Sequence, residues 1–259
     1  MPSILDEKDT IAPSVFRPAA LLREARRQKG LTTVDVPALC ILDPDGDIVR
    51  RLRQDGRSQP FNGWPCYHTR LDTFSLAGRT VGIVGCAVGA PFAVLIAEEL
   101  FASGCRLLLS LTSAGQITPA GPVPYFVIID RALRDEGTSY HYAPPSEYAS
   151  ADPELVAMAA TAIRGGQKAV VGSSWTTDAP FRETADAIEA ARSKGVLAVE
   201  MEAAALYTFG RVTGAKVLCL AHVTNTMGRT DQDFEKGEAD GTAEALSILD
   251  AILLGTHAE

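Results

Sequence analysis

The most chemically suggestive stretch of the chain is Ala198-Val199-Glu200-Met201-Glu202-Ala203-Ala204-Ala205, two carboxylates around a methionine directly before a run of small residues. In extended backbone, side chains at i and i+2 leave on the same side, so Glu200 and Glu202 converge. Charging both in apolar surroundings is costly unless donors compensate. A ribose diol is such a partner, because two vicinal hydroxyls can donate to one carboxylate. Spacing alone leaves a second reading open, that of acids favoured by the positive end of a helix.

Several elements must position this pair. Short apolar runs at 36–42, 80–84, 106–111, 125–129, 169–172 and 216–223 are mostly continuous rather than alternating, the pattern of strands covered on both faces. Punctuated helical segments lie between and around them. Residues 17–29 open near Pro18 and close at Gly30; 91–103 close at Gly104. A helix opening at Asp152-Pro153-Glu154 stops at Gly165-Gly166, 183–194 stop at Gly195, 202–213 at Gly214, and about 242–254 at Gly255. Strands alternating with helices predict crossover units, hence one α/β domain. Residues 54–65 and 138–151 hold Pro, Gly, Ser and aromatics and read as long loops near a site. In such sheets ligands sit beyond the carboxyl ends of the strands.

A formal net charge of −8 over 259 residues argues against nucleic acid as a partner, since phosphate contacts need clustered Lys and Arg. A small anion needs only two or three local donors. Cys40, Cys66, Cys86, Cys105 and Cys219 are scattered without CxxC spacing, which fits reduced thiols and a cytoplasmic location. The opening MPSILDEKD has no signal-peptide pattern. No apolar run approaches the roughly 20 residues of a membrane span, so no membrane association is expected. No His/Cys/Asp grouping has metal-ligand spacing, and no metal is expected. The 85–89 turn lacks the third glycine of a dinucleotide-binding loop.

Taken together, several stretches carry a resemblance. Val199-Glu200-Met201-Glu202-Ala203-Ala204-Ala205-Leu206-Tyr207 resembles the ribose-binding segment of the purine nucleoside phosphorylase and uridine phosphorylase family. In that family's order, Val84-Gly85-Cys86-Ala87-Val88-Gly89-Ala90-Pro91 resembles its glycine-rich turn, and Ser110-Leu111-Thr112-Ser113-Ala114-Gly115-Gln116-Ile117 its phosphate-side loop. Thr176-Thr177-Asp178-Ala179-Pro180-Phe181 resembles its base-side segment, and Val223-Thr224-Asn225 its acid-bearing loop. The likeness covers about residues 36–254. It implies a single-domain three-layer α/β/α fold with a central mixed, mainly parallel sheet over 36–259, after an N-terminal extension with a helix at 1–35. It also implies a small-molecule nucleoside ligand, no cofactor other than inorganic phosphate as co-substrate, and a homo-oligomer, dimer or hexamer. By this resemblance Glu202 holds the ribose 2′- and 3′-hydroxyls, Met201 packs on the sugar and Glu200 lies beside it. Ser113 and Gly115 fall on the phosphate side, Phe181 stacks on the base, Asp178 matches a family acid, and Arg182 reaches a base carbonyl.

The chain departs from the family at the anion site. The family's Gly-Asp-Pro turn and its arginine are replaced by Asp43-Pro44-Asp45-Gly46-Asp47, with no arginine before Arg50 and Arg51. Ser110 stands where the second loop opens with an arginine, which leaves Arg70, and behind it Arg50, as cationic candidates. The loop 111–115 is also similar to that of methylthioadenosine/S-adenosylhomocysteine nucleosidases, which lack those arginines and use water. In such an enzyme Asp47 or Asp45 would be the general base, although the same five residues form a good turn in any protein. Asn225 replaces the aspartic acid of purine-cleaving members. It can donate a hydrogen bond but not a proton, which suits a keto base such as hypoxanthine or uracil. His222 and His68 are further polar groups near the site, and residues 228–236 read as a flap or helix start. The expected activity is N-glycosidic cleavage by phosphorolysis; a phosphate-independent nucleosidase and a catalytically weak nucleoside-binding homologue are the alternatives.

Overall fold

The computed structural model describes residues 6, 8–163, 168–227 and 241–256. The expected helix stop at Gly165-Gly166 and the segment 228–236 lie outside the described residues. One mixed sheet runs through the molecule, built from β1 (Leu39–Asp43), β2 (Ser58–Pro60), β3 (Leu71–Leu76), β4 (Arg79–Gly85), β5 (Leu107–Gln116), β6 (Tyr125–Asp135), β7 (Tyr148–Ser150), β8 (Ala169–Thr177), β9 (Ala198–Glu200) and β10 (Lys216–Thr226). Parallel ladders join β4, β1, β5 and β10, and separately β6, β8 and β9. The pairings β2–β3, β3–β4, β6–β7, β6–β10 and β5–β9 are antiparallel.

Strand β5 organises the sheet. Along one edge it pairs with β10 for its whole length. Along the other, Leu107–Ser110 pair with β1 and only Gly115 and Gln116 pair with β9. Between those two partners the edge opens, and β5, β9, β8, β6 and β10 close on themselves beyond it. Helices cover both faces. On one side α1 (Pro18–Lys29), α3 (Ala90–Ala102) and α6 (Ala203–Thr213) pack together. Leu42, Val84, Leu108, Val127 and Leu206 are buried in the core that α3 and α6 share with the sheet. On the other side, α2 (Asp47–Gln54), α4 (Pro153–Ala162) and α7 (Thr242–Gly255) enclose Ile41, Ile83, Leu109, Ile128 and Leu249. A smaller cluster holds α5 (Ala185–Ser193) against Ile117, Trp175 and Val199. The runs are apolar throughout because both faces of most strands are covered.

The helix ends follow the glycines. Gly30 and Gly214 take left-handed conformations, with φ 64° and 75°, directly after α1 and α6. Strands β5, β6, β8 and β10 run several residues further than their apolar stretches, so that segments expected as loops are strand ends. The expected long loops at 54–65 and 138–151 contain β2 and β7. Strand β3 joins β4 through Ala77-Gly78, with φ 51° and 69°, the positive pair of a two-residue hairpin turn.

Candidate active site

The carboxyl ends of β1, β4, β5, β8, β9 and β10 gather the residues of interest, at the place where β5 has left β1 and not yet met β9. Glu200 ends β9 and is buried to 3% exposure. Its Oε1 accepts from the hydroxyls of Ser174 (2.9 Å) and Thr176. Its Oε2 accepts from the backbone N–H groups of Glu202 and Ala203, both at 2.7 Å. Four internal donors leave no capacity for a sugar. Glu200 is therefore a positioning residue that clamps the start of α6, rather than a ribose ligand. Ser174 and Thr176 stand two apart on β8 and so share one face of the strand.

Glu202 is 1% exposed and far less satisfied. The Gly89 N–H donates to its Oε1 at 2.7 Å. Its Oε2 is buried without a hydrogen-bond partner among the described residues, with the Thr112 hydroxyl nearby. Burial first, then the charge of Glu200, pushes its carboxyl up to about 8. Gly89 stands at φ 93°, a conformation open to glycine, at the N-terminus of α3. On the other side the site is fixed by Tyr207 of α6, whose phenol donates to the Ile129 carbonyl (2.6 Å) and accepts from the Cys219 N–H (3.0 Å). That pins α6 to β6 and β10. Met201 is half-buried beside Glu202.

The acidic segment is less of a surface turn than its sequence implied. Asp43 is 2% exposed and ends β1, accepting from the N–H groups of Gly46 (3.2 Å) and Val49 (2.9 Å), so it caps α2 from a distance. Burial pushes its carboxyl up to about 7, with the charges of Asp45 and Asp47 adding to the rise. Asp45 reaches across to β5, where its Oδ2 accepts from the Ser113 N–H (2.7 Å) and its Oδ1 from the Ser113 hydroxyl (3.1 Å). Asp47 opens α2 and is paired with Arg50 (2.8 Å). These three acids, Ser113, His222 and Thr242 surround a small cavity of about 20 Å³. His222 stacks on Phe126, with ring centroids 4.5 Å apart.

Other expected residues fall elsewhere. Gly115 lies within β5, and a Cβ there would come within 2.3 Å of the Met227 Sδ. It is a packing gap filled by a thioether rather than part of an anion loop. Arg70 is exposed and does not join Ser113; it lines a cleft of about 810 Å³ with Lys29, His68 and Asp72. Arg53 holds Asp72 bidentately there, at 2.7 and 2.9 Å. Phe181 is 99% exposed in a short 3-10 turn, Pro180–Arg182, and Arg182 is exposed with it. Asp178 is exposed and accepts from the Gly137 N–H (2.7 Å), a tether between two loops. Asn225 lies at the carboxyl end of β10. A bulge between Val223 and Asn225 sets it opposite Gly115 at the end of β10, half-buried. Glu183, which no motif singled out, has its carboxyl raised to about 7 by burial.

The chain belongs to the Phosphorylase superfamily: residues 38–254 match that family's sequence profile. It is 29% identical over 202 residues to uridine phosphorylase of Thermococcus kodakarensis, covering 70% of this chain and 71% of that one. To the DeoD-type purine nucleoside phosphorylase of Proteus mirabilis it is 26% identical over 186 residues, covering 70% and 78%. The fold superposes on a crystal structure of uridine phosphorylase from Vibrio fischeri ES114 with a TM-score of 0.73 at 22% identity, over 87% of this chain and 97% of that one. No described helix is long and apolar enough to cross a membrane.

Proposed function

We propose that the chain is a nucleoside phosphorylase, transferring a ribosyl group from a base to inorganic phosphate. The observation that carries this reading is Glu202: a buried carboxylate whose Oε1 accepts from the Gly89 N–H and whose Oε2, beside the Thr112 hydroxyl, has no hydrogen-bond partner among the described residues. A vicinal diol supplies the missing donors and relieves the cost of the buried charge. As the C1′–N bond breaks, positive charge builds on the ribose. The Glu202 carboxylate then attracts that charge more strongly than it attracts the ground state. Asn225 donates to a carbonyl of the departing base, a phosphate oxygen takes the C1′ position, and the base recovers a proton from phosphate or solvent. No cofactor enters this scheme beyond phosphate. The two relatives named above are a uridine and a purine nucleoside phosphorylase, and Asn225 favours a keto base.

A second reading, hydrolysis by water, is favoured by one observation: the Ser113 donors are already engaged by Asp45. We also expect a cytoplasmic homo-oligomer, dimer or hexamer, whose size light scattering would give. The test of function is to incubate the protein with inosine, uridine, adenosine and methylthioadenosine, with and without phosphate, and to separate base and sugar products. Phosphate-dependent release giving ribose 1-phosphate supports the proposal; free ribose in phosphate-free buffer supports hydrolysis. Nucleoside binding without turnover, abolished in Glu202→Ala, would leave a binding protein.

A further inference from the structure

Ser113 lies on the stretch of β5 that neither β1 nor β9 pairs, so its N–H is free to leave the sheet. With its hydroxyl it makes two donors aimed at one point, an anion cradle in miniature. That cradle is occupied by the two oxygens of Asp45, at 2.7 and 3.1 Å, as two oxygens of a phosphate would occupy it. The turn delivers the carboxylate rigidly. Gly46 reverses the chain at φ 79°, and the Asp43 side chain holds the N–H groups of Gly46 and Val49. The Cys86 N–H also donates to the Asp43 carbonyl, at 3.1 Å. Asp45 itself is only half-buried, so its side chain has solvent to turn into.

We propose that Asp45 is a resident anion that competes with phosphate for Ser113, and so sets both phosphate affinity and the choice between phosphate and water. The proposal rests on the phosphorylase reading. An incoming phosphate must displace Asp45 and then share a few ångströms with its charge. An incoming water molecule meets neither cost. The exchange involves no covalent step.

The test is a phosphate titration of initial rates in the wild type, Asp45→Asn and Asp45→Ser, with products identified and melting curves recorded. Both substitutions remove the charge, and serine also withdraws the reach. The KM for phosphate should fall about ten-fold or more in each variant, the equivalent of one charge-assisted hydrogen bond, while the KM for the nucleoside moves less. An unchanged or higher phosphate KM in a folded variant overturns the proposal. Lost turnover with no gain in phosphate affinity also overturns it, and marks Asp45 as a base. If the wild type releases base without phosphate, the phosphorylase reading fails separately. Calorimetric titration with inorganic phosphate then decides: tighter binding to the variants upholds the resident anion, and equal binding refutes it. Should neither variant fold, a wild-type structure at saturating phosphate decides. Asp45 turned away with phosphate on Ser113 upholds the proposal, and Asp45 still seated refutes it.

Discussion

Replacing Glu202 by Gln keeps the side chain's shape, removes its charge, and should move stability and activity in opposite directions. The carboxyl rises from an ordinary 4.5 to about 8 in the folded chain. Between those values the folded protein holds a proton that the unfolded chain has released. Raising the pH through that window therefore favours unfolding, and the loss is complete above about 8. The shift sets a ceiling of about 5 kcal/mol on the cost of charging Glu202. The Gln amide keeps the acceptor for the Gly89 N–H but needs an acceptor of its own, which lowers the expected gain to about 2–4 kcal/mol at pH 9. For a chain of this size that is a rise of roughly 5–10 °C in Tm. At pH 5 the two proteins should melt within about 2 °C of each other, since neither carries the buried charge there. Activity should fall: exchanging charge-assisted bonds to a ribose diol for neutral ones costs about 2–4 kcal/mol, a loss of roughly 30- to 1,000-fold in kcat/KM. Calorimetric melts at pH 5 and 9, with kcat/KM for inosine and uridine, read both effects. A Glu202→Gln protein that melts no higher than the wild type at pH 9 would refute the electrostatic reasoning. Full activity would remove Glu202 from the sugar site.

Three further outcomes follow from the packing. Tyr207→Phe strands the Ile129 carbonyl and the Cys219 N–H in the core and should destabilise by about 1–3 kcal/mol in urea unfolding; no change would mean α6 is held by other contacts. Gly85→Ala places a Cβ 2.4 Å from Val49 Cγ1 and 3.3 Å from the Gly46 Cα. Overpacking of that kind costs about 1–3 kcal/mol, and because it shifts the turn that carries Asp45, the phosphate KM should move with the melting temperature. Phe181→Ala should leave stability within about 0.5 kcal/mol, because the ring is 99% exposed. A raised nucleoside KM in that variant would show that the turn swings inward to stack on the base.

What the sequence made legible follows from where its signals are strong. Helix ends at Gly30 and Gly214 were readable because left-handed caps select glycine. The continuous apolar runs gave the core strands. Strand β3 was missed although Leu71, Phe74 and Leu76 are buried and Ser75 is exposed, because a buried Asp72 held by Arg53 breaks the alternation. Helix α2 is hidden in the sequence because it is short and the residues that lead into it, Asp43 to Asp47, read as a turn; only Ile48, Val49 and Leu52 mark its buried face. In the site, the Glu200–Glu202 pair was legible as a pair, but its division of labour was not. Which carboxylate is saturated depends on Ser174 and Thr176, which reach it from another strand. The seating of Asp45 on Ser113 joins residues 68 positions apart, and no local pattern encodes it.

Proton and phosphorus NMR together decide between phosphorolysis and hydrolysis when inosine or uridine is incubated with the pure protein and inorganic phosphate: proton spectra follow nucleoside, base and ribose, and phosphorus spectra follow ribose 1-phosphate. Base should appear only when phosphate is supplied, in step with a ribose 1-phosphate resonance, and Glu202→Ala should suppress both. Base released at the same rate in phosphate-free buffer, with free ribose as the other product, would contradict phosphorolysis.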